Sequence, residues 1–263
     1  MKPPALRNGN ISRRFFLAEG ARLITYGSLG GLAAAMAWPG RAHGQDWGAL
    51  FRSRPTGGHG RVKDLRGQAS AAGRPLAAGG RVASGEQIRV GPNSRLILSL
   101  SDHTILRINA GTVVSLEVGL SRTGFFRLLV GSLLTVLPTG NRYLVHLPTA
   151  TVGIKGTIFF QQIYAPGETV AVGRDQGRVT IPEGIAEYFC LCNGLADFMG
   201  KLETTPFFSD DSYYHNSYYI DPRLPNPMVP APQLNHTDEQ IRDLIRRQDG
   251  PKHNTAFLDD YRY

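Results

Sequence analysis

Two cysteines separated by one residue are the side chains whose spacing points most directly to chemistry. Cys190 and Cys192 are the only cysteines of the 263-residue chain, and they lie in a run typical of a short strand that ends in a turn at Asn193-Gly194. Residues i and i+2 of a strand project from the same face, so both sulfurs would lie on one side. A disulfide between them would be strained in extended backbone. Two thiolates can instead share one metal ion, although C-x₂-C is the commoner spacing.

A metal ion held by both thiolates needs further ligands, and two histidines are the candidates. His215 lies in an aromatic-rich segment, and His236 directly precedes Thr237, a residue suited to cap a helix. Together with Cys190 and Cys192 they would form a Cys₂His₂ set, which favours zinc and accepts other thiophilic metals. A closed set of four protein ligands would be structural and would tie the tail of the chain to its core.

Other interpretations of the cysteine pair stay open. The thiols could be small core residues without a ligand, or a redox-labile pair. A metal with only three protein ligands and a solvent path would make the chain a metal-dependent or redox protein. The sequence contains no nucleophile elbow, no H-E-x-x-H and no phosphate loop. We therefore expect a non-enzymatic protein, with no catalytic residue and no cofactor besides the metal.

The first 44 residues have the features of an export leader. The twin-arginine signal pattern is matched by Ser12, Arg13, Arg14, Phe16 and Leu17. The apolar stretch at 23–37 is shorter than the roughly 20 residues that span a bilayer, and small residues suit cleavage before Gln45. We expect the twin-arginine (Tat) translocase to carry the folded chain to the periplasm. A retained leader would instead make it an inner-membrane anchor facing the periplasm.

The formal net charge of +8 does not indicate a nucleic-acid-binding protein. Six of the basic residues but only one of the acidic residues lie in the first 44 positions, so the rest of the chain is nearly balanced. That remainder has no basic run interleaved with aromatic residues. We therefore exclude nucleic acid as a partner.

Residues 63–181 show the pattern of an all-β domain built from short strands and tight turns. Apolar residues alternate between Leu96 and Leu100, and turn residues follow strands at 91–93 and 109–111. No segment here sustains a 3.6-residue period. Strand-turn units of about ten to twelve residues fit either a stacked β-coil or a two-sheet sandwich.

One motif inside this region is more specific. The run from Leu147 to Phe159 contains Leu-Pro-Thr-Ala and Lys-Gly-Thr, and its matching positions are Pro148, Ala150, Gly156, Thr157 and Phe159. With it, the stretch from about Leu65 to Val179 resembles the FecR-type domain, the periplasmic module of iron-siderophore signalling proteins. The family's usual form has Thr-Pro-x-Ala and Arg-Gly-Thr. The resemblance implies a solenoid-like fold of two facing sheets, with signature residues that are structural and a Gly156 that needs a positive φ.

The flanking segments are expected to be less regular. We predict a linker over 45–62 and an irregular, aromatic- and Pro-rich extension over 182–263, with one helix at about 238–248. Thr237 and Gln240 suit a capping box, and an apolar stripe follows at Ile241, Leu244 and Ile245.

These features together predict a binding, sensory or scaffolding module of the cell envelope. Its partner would be an envelope protein or a glycan. The aromatic residues Tyr213, Tyr214, Tyr218 and Tyr219 could supply the contact surface, or they could pack over the β-core. An iron-uptake signalling role is a further alternative. A regulator of that kind would need an N-terminal cytoplasmic domain that binds a sigma factor, and the leader takes the place of this domain.

Overall fold

The structure is a computed structural model that describes residues 47–52, 57–119, 122–165, 167–172, 177–182, 184–201, 203–221 and 224–259. The leader motif lies outside the described residues, with Ser12, Arg13, Arg14, Phe16 and Leu17. None of the helices in the described ranges has the length and apolar character needed to cross a bilayer.

The described chain is mostly β-structure. Its three helices are α1 (Trp47–Arg52), α2 (Asp238–Arg247) and α3 (Ala256–Asp259). Its strands are β1 (His59–Arg66), β2 (Ala69–Ala71), β3 (Arg74–Pro75), β4 (Arg81–Ala83), β5 (Gln87–Val90), β6 (Arg95–Leu100), β7 (Ile105–Ile108), β8 (Val113–Val118), β9 (Thr123–Val136), β10 (Arg142–His146), β11 (Ala150–Ile163), β12 (Thr169–Ala171), β13 (Arg178–Thr180), β14 (Glu187–Gly200), β15 (Phe208–Ser212), β16 (Asn216–Ile220) and β17 (Met228–Pro230). The all-β class is as predicted.

Fifteen strands form one hydrogen-bonded sheet that folds into two layers. The first layer has the order β15-β14-β11-β10-β9-β8-β5-β2-β3. The second has the order β17-β16-β14-β11-β9-β7-β6-β1-β4. Strands β9, β11 and β14 are each 14 residues long and give one half to each layer. Neighbours are antiparallel except β9 and β10; a repeating solenoid stays a prediction.

Glycines mark the points where the three long strands pass between layers. Gly131, Gly156 and Gly194 have φ values of 86°, 55° and 110°, in the region that L side chains rarely adopt. A Cβ on Gly156 would lie 3.0 Å from the Cα of Thr139. Gly156 thus adopts the positive φ expected from its motif.

The other signature residues are packed around this bend. Ala150 and Phe159 are fully buried, and the Phe159 ring stacks on Phe189 at 5.4 Å. The buried Thr157 hydroxyl lies 2.8 Å from the carbonyl of Lys155 and 3.1 Å from that of Leu195. These contacts hold the bend of β11 against β14, which is a structural role.

Buried apolar side chains form three clusters in the described chain. The largest cluster lies between the two layers and includes Leu98, Val152 and Phe159. A second cluster covers the outer face of the second layer and includes the α2 residues Ile241 and Leu244. A small third cluster lies around Trp47, Phe125, Leu144 and Met199.

The prediction of a linker over 45–62 needs correction. Its described part contains α1 and the start of β1. Trp47 is buried, and its Nε1 donates to Oδ2 of Asp197 at 2.8 Å. The indole packs over Gly153, where a Cβ would come within 2.4 Å of the ring. A helix of six residues is too short to show a 3.6-residue period, so a pattern search does not detect it.

The prediction of an irregular extension over 182–263 also needs correction. β14 to β17 lie in this region and join the main sheet. β14 pairs with β11 at twelve positions and continues past Gly194, where the sequence had suggested its end. The bend at Gly194 interrupts the side-chain alternation that marks one continuous strand. The predicted helix is present as α2, capped by Thr237.

Candidate metal centre

Three separate segments bring the four predicted ligand residues together. Cys190 and Cys192 project from the outer face of β14, as their i, i+2 spacing predicts. His215 lies in the turn between β15 and β16, with a φ of 45°. His236 lies just before α2. The ligand atoms of all four residues are within 4.8 Å of one another.

Four of the separations have the values of a tetrahedral metal site. The two Sγ atoms are 3.8 Å apart. Sγ of Cys190 lies 3.3 Å from Nδ1 of His215, and Sγ of Cys192 lies 3.5 Å from Nε2 of His236. The two ring nitrogens are 3.3 Å apart. In a tetrahedral site the metal lies about 2.3 Å from sulfur and about 2.0 Å from nitrogen. Two ligand atoms of such a site are then about 3.8 Å apart for S–S, about 3.5 Å for S–N and about 3.3 Å for N–N.

The opposite nitrogen of each histidine is held by an oxygen. Nδ1 of His236 lies 2.7 Å from the carbonyl oxygen of Leu234. Since a carbonyl only accepts, Nδ1 carries the proton and Nε2 presents its lone pair to the cysteines. Nε2 of His215 lies 2.9 Å from Oδ1 of Asp238 and donates to it, which leaves Nδ1 as the ligand atom. Such partners orient metal-binding imidazoles and fix their tautomers.

The site is closed to solvent. Cys190 and Cys192 are fully buried, and His236 is 1% exposed. The His215 side chain is 4% exposed. The ring of Phe160 stacks on His236 at 4.6 Å and forms part of the wall. This enclosure leaves no evident path for a substrate or water among the described residues.

The electrostatics of the cluster favour one thiolate. Burial opposes ionisation of Cys190, but the hydrogen bond with Cys192 and the two neighbouring histidines lower the pKa of Cys190 well below its usual range. Burial and the neighbouring Cys190 raise the pKa of Cys192. Burial works against the charged form of His215, yet Cys190 and Asp238 raise the pKa of this ring to about 9. Metal binding to this set would release protons.

The cysteines are not joined by a disulfide. Both are free thiols, and the Sγ–Sγ separation of 3.8 Å is far longer than a bond of about 2.05 Å. The donor set of two thiolates and two imidazoles fits zinc or another thiophilic divalent ion.

Sequence reasoning missed three residues of this centre. Asp238, Phe160 and Leu234 are not among the residues that the sequence analysis singles out. Asp238 also accepts a hydrogen bond from the Tyr214 hydroxyl at 3.0 Å. A carboxylate two residues after a candidate ligand histidine, in His236-Thr237-Asp238, was the available signal.

The four tyrosines of the predicted contact surface do not form one exposed patch. Tyr213 is 51% exposed, whereas Tyr219 is buried. Tyr214 contacts Asp238, and Tyr218 packs edge-on against Phe208. Most of these rings therefore pack against the β-core or the centre.

A groove of about 750 Å³ lies apart from the cysteine cluster. Phe125 and His146 stack at 5.5 Å in its wall. Arg127 and Lys201 add positive charge, and the partly exposed Leu129 adds apolar surface. Burial and the nearby Arg127 lower the pKa of His146 to about 4, so this ring is neutral near pH 7.

Comparison with known proteins identifies the central region. Residues 86–184 match the family described as FecR protein. Comparison with curated proteins gives no match. The crystal structure of a candidate anti-sigma factor from Parabacteroides distasonis aligns with a TM-score of 0.40 and 15% identity, over 56% of this chain and 59% of that chain. The five signature residues lie inside this match, so it is residues 86–184 that are similar to the FecR domain.

Proposed function

We propose that the chain is an exported periplasmic protein whose FecR domain acts as a non-enzymatic binding, sensory or scaffolding module of the cell envelope. Within it, a thiophilic metal ion, zinc first among them, would be held by Cys190, Cys192, His215 and His236. The observation that carries the metal proposal is the convergence of four ligand atoms within 4.8 Å of one another.

The enclosure of the cluster supports a structural ion over a catalytic one. Structural zinc sites have four protein ligands, whereas catalytic sites keep one position for water or substrate. The ion would join β14, the β15–β16 turn and the segment before α2, in addition to the pairing of β14 with β15 and β16. Metal-binding free energy would then contribute directly to folding.

The FecR domain supplies the platform in this proposal. Its two layers would form the solenoid-like coil that the family resemblance implies. The groove at Phe125, Arg127 and Lys201 offers ring, charge and apolar contacts of the kind that small binding sites combine. An envelope protein or a glycan would be the partner there.

Two other functions remain alternatives. Iron-uptake signalling is favoured by the match to the FecR family. A metal-dependent or redox protein would use Cys190 and Cys192, and it would need the cluster to open.

Elemental analysis of protein purified natively from the periplasm tests the metal proposal. We expect one metal ion per chain in the wild type and in His253→Ala, a histidine outside the cluster. Cys190→Ser and His236→Ala should each lose it. A metal-free wild type with two reactive thiols would contradict the proposal. Retention of the ion in both site variants would do the same.

A further inference from the structure

Asp238 connects the candidate metal centre to the helix beside it. It is the first residue of α2, and its two carboxylate oxygens have separate partners. Oδ1 lies 2.9 Å from Nε2 of His215, and Oδ2 accepts from the Tyr214 hydroxyl at 3.0 Å. The carboxylate thus lies directly behind a ligand imidazole, on the side away from the cysteines.

The helix that begins at Asp238 is itself part of the core. Ile241, Leu244 and Ile245 are buried in the cluster that also contains Cys190 and Cys192. Thr237, between His236 and Asp238, caps the helix. The start of α2 is therefore fixed by residues that also surround the four ligand atoms.

We propose that Asp238 is a positioning residue that orients His215 for metal binding and couples metal binding to the docking of α2. This inference rests on the metal site of the proposed function. The carboxylate accepts a hydrogen bond from Nε2–H of His215, so the lone pair on Nδ1 of the same ring is directed at the ion. The same carboxylate belongs to α2, so a bound ion and a docked helix stabilise each other, and this coupling is reciprocal.

A role limited to helix stability would have a different signature. A carboxylate in the first turn of a helix interacts favourably with the helix dipole whether or not a metal is bound. Its removal would lower the stability of the metal-free and metal-bound protein equally. A positioning role instead appears in the metal affinity itself.

The test compares Asp238→Asn with a carboxylate on the same helix. Asp243, five residues further along α2, pairs with Arg247 at 2.9 Å and with Arg246 at 3.6 Å instead of with a ligand residue. Zn²⁺ affinity is measured on the full mature chain by competition with a chromophoric chelator. We expect Asp238→Asn to bind Zn²⁺ about 10- to 100-fold more weakly, and Asp243→Asn to match the wild type.

Cobalt provides a second readout. Co²⁺ bound by two thiolates and two imidazoles in a tetrahedral site gives intense visible absorption. We expect Asp238→Asn to keep these bands at saturating Co²⁺, because the four ligands remain. Thermal unfolding in excess chelator measures separately what Asp238→Asn costs the metal-free protein through its contacts with His215 and Tyr214.

The outcomes separate this inference from the proposed function. A wild type that binds Zn²⁺ tightly with an equally tight Asp238→Asn would overturn the role of Asp238 and leave the metal site standing. A wild type that binds no metal would overturn both. If Asp238→Asn does not fold, Tyr214→Phe removes only the hydroxyl that donates to Asp238. It should weaken Zn²⁺ binding several-fold, and an unchanged affinity would again refute the coupling.

Discussion

Replacing Glu187 by Gln should stabilise the protein above pH 7 and leave its stability at pH 4 nearly unchanged. Glu187 begins β14 and is fully buried. One carboxyl oxygen accepts from the backbone N–H of Thr149. The other, Oε2, has no hydrogen-bond partner among the described residues. Burial raises the pKa of Glu187 to about 7, with a smaller contribution from Asp221; Thr149 and Lys201 act in the opposite direction.

The size and sign of the effect follow from this pKa. The folded state binds the proton of Glu187 more tightly than the unfolded state, whose value is 4.5. The stabilising contribution of Glu187 to the free energy of unfolding is therefore fully present below about pH 4.5 and is lost as the pH rises to about 7. At 1.36 kcal/mol per unit, the loss is about 3 kcal/mol. A neutral Gln of similar shape does not undergo this loss.

Urea unfolding of both proteins at pH 4.5, 5.5, 6.5 and 8 measures the effect. The informative quantity is the difference in free energy of unfolding between Glu187→Gln and the wild type. Titration of other groups, the histidine and cysteine cluster included, is common to both proteins and cancels in this difference. Glu203→Gln, at an exposed carboxylate, is the matched control.

We expect the difference to rise from near zero at pH 4.5 to about 3 kcal/mol at pH 8. A difference that stays constant with pH, or one that is largest at the acid end, would refute the assignment of Glu187 as a buried group that is neutral in the folded state.

Two further predictions concern the start of the chain. Gly153→Ala should displace Trp47, since the new Cβ would lie 2.4 Å from its ring; we expect a red-shifted tryptophan emission and a loss on the order of 1–3 kcal/mol, and an unchanged emission maximum would contradict this. Replacing Arg13 and Arg14 by Lys should prevent accumulation in the periplasm, as measured by cell fractionation, and undiminished periplasmic protein would argue against the twin-arginine route.

The central β-domain could be predicted because its signals are local. Alternating apolar residues, turn residues and the motif around Gly156 each act within a few positions. The convergence of Cys190 and Cys192 on one face also follows from strand geometry alone.

The remaining structure depends on partners distant in sequence. Trp47 is fixed by Gly153 and Asp197, which no local pattern connects to it. β14 is stabilised by pairing with β11 rather than by a continuous alternation of its own. The role of Asp238 required the turn at His215 to be placed beside α2. Each of these features depends on contacts between residues distant in sequence, which local secondary-structure propensity does not predict.

The pairing of β14 has a practical consequence for anyone who excises the domain. The family match covers residues 86–184 and so omits β14 and β1. Removing β14 would leave one side of β11 without backbone partners in both layers. Removing β1 would leave one side of β6 without them. Unpaired edges of this kind recruit other chains. A fragment trimmed to the match should therefore precipitate, and a soluble one has to run from α1 to α3, because these helices cover the two outer apolar clusters.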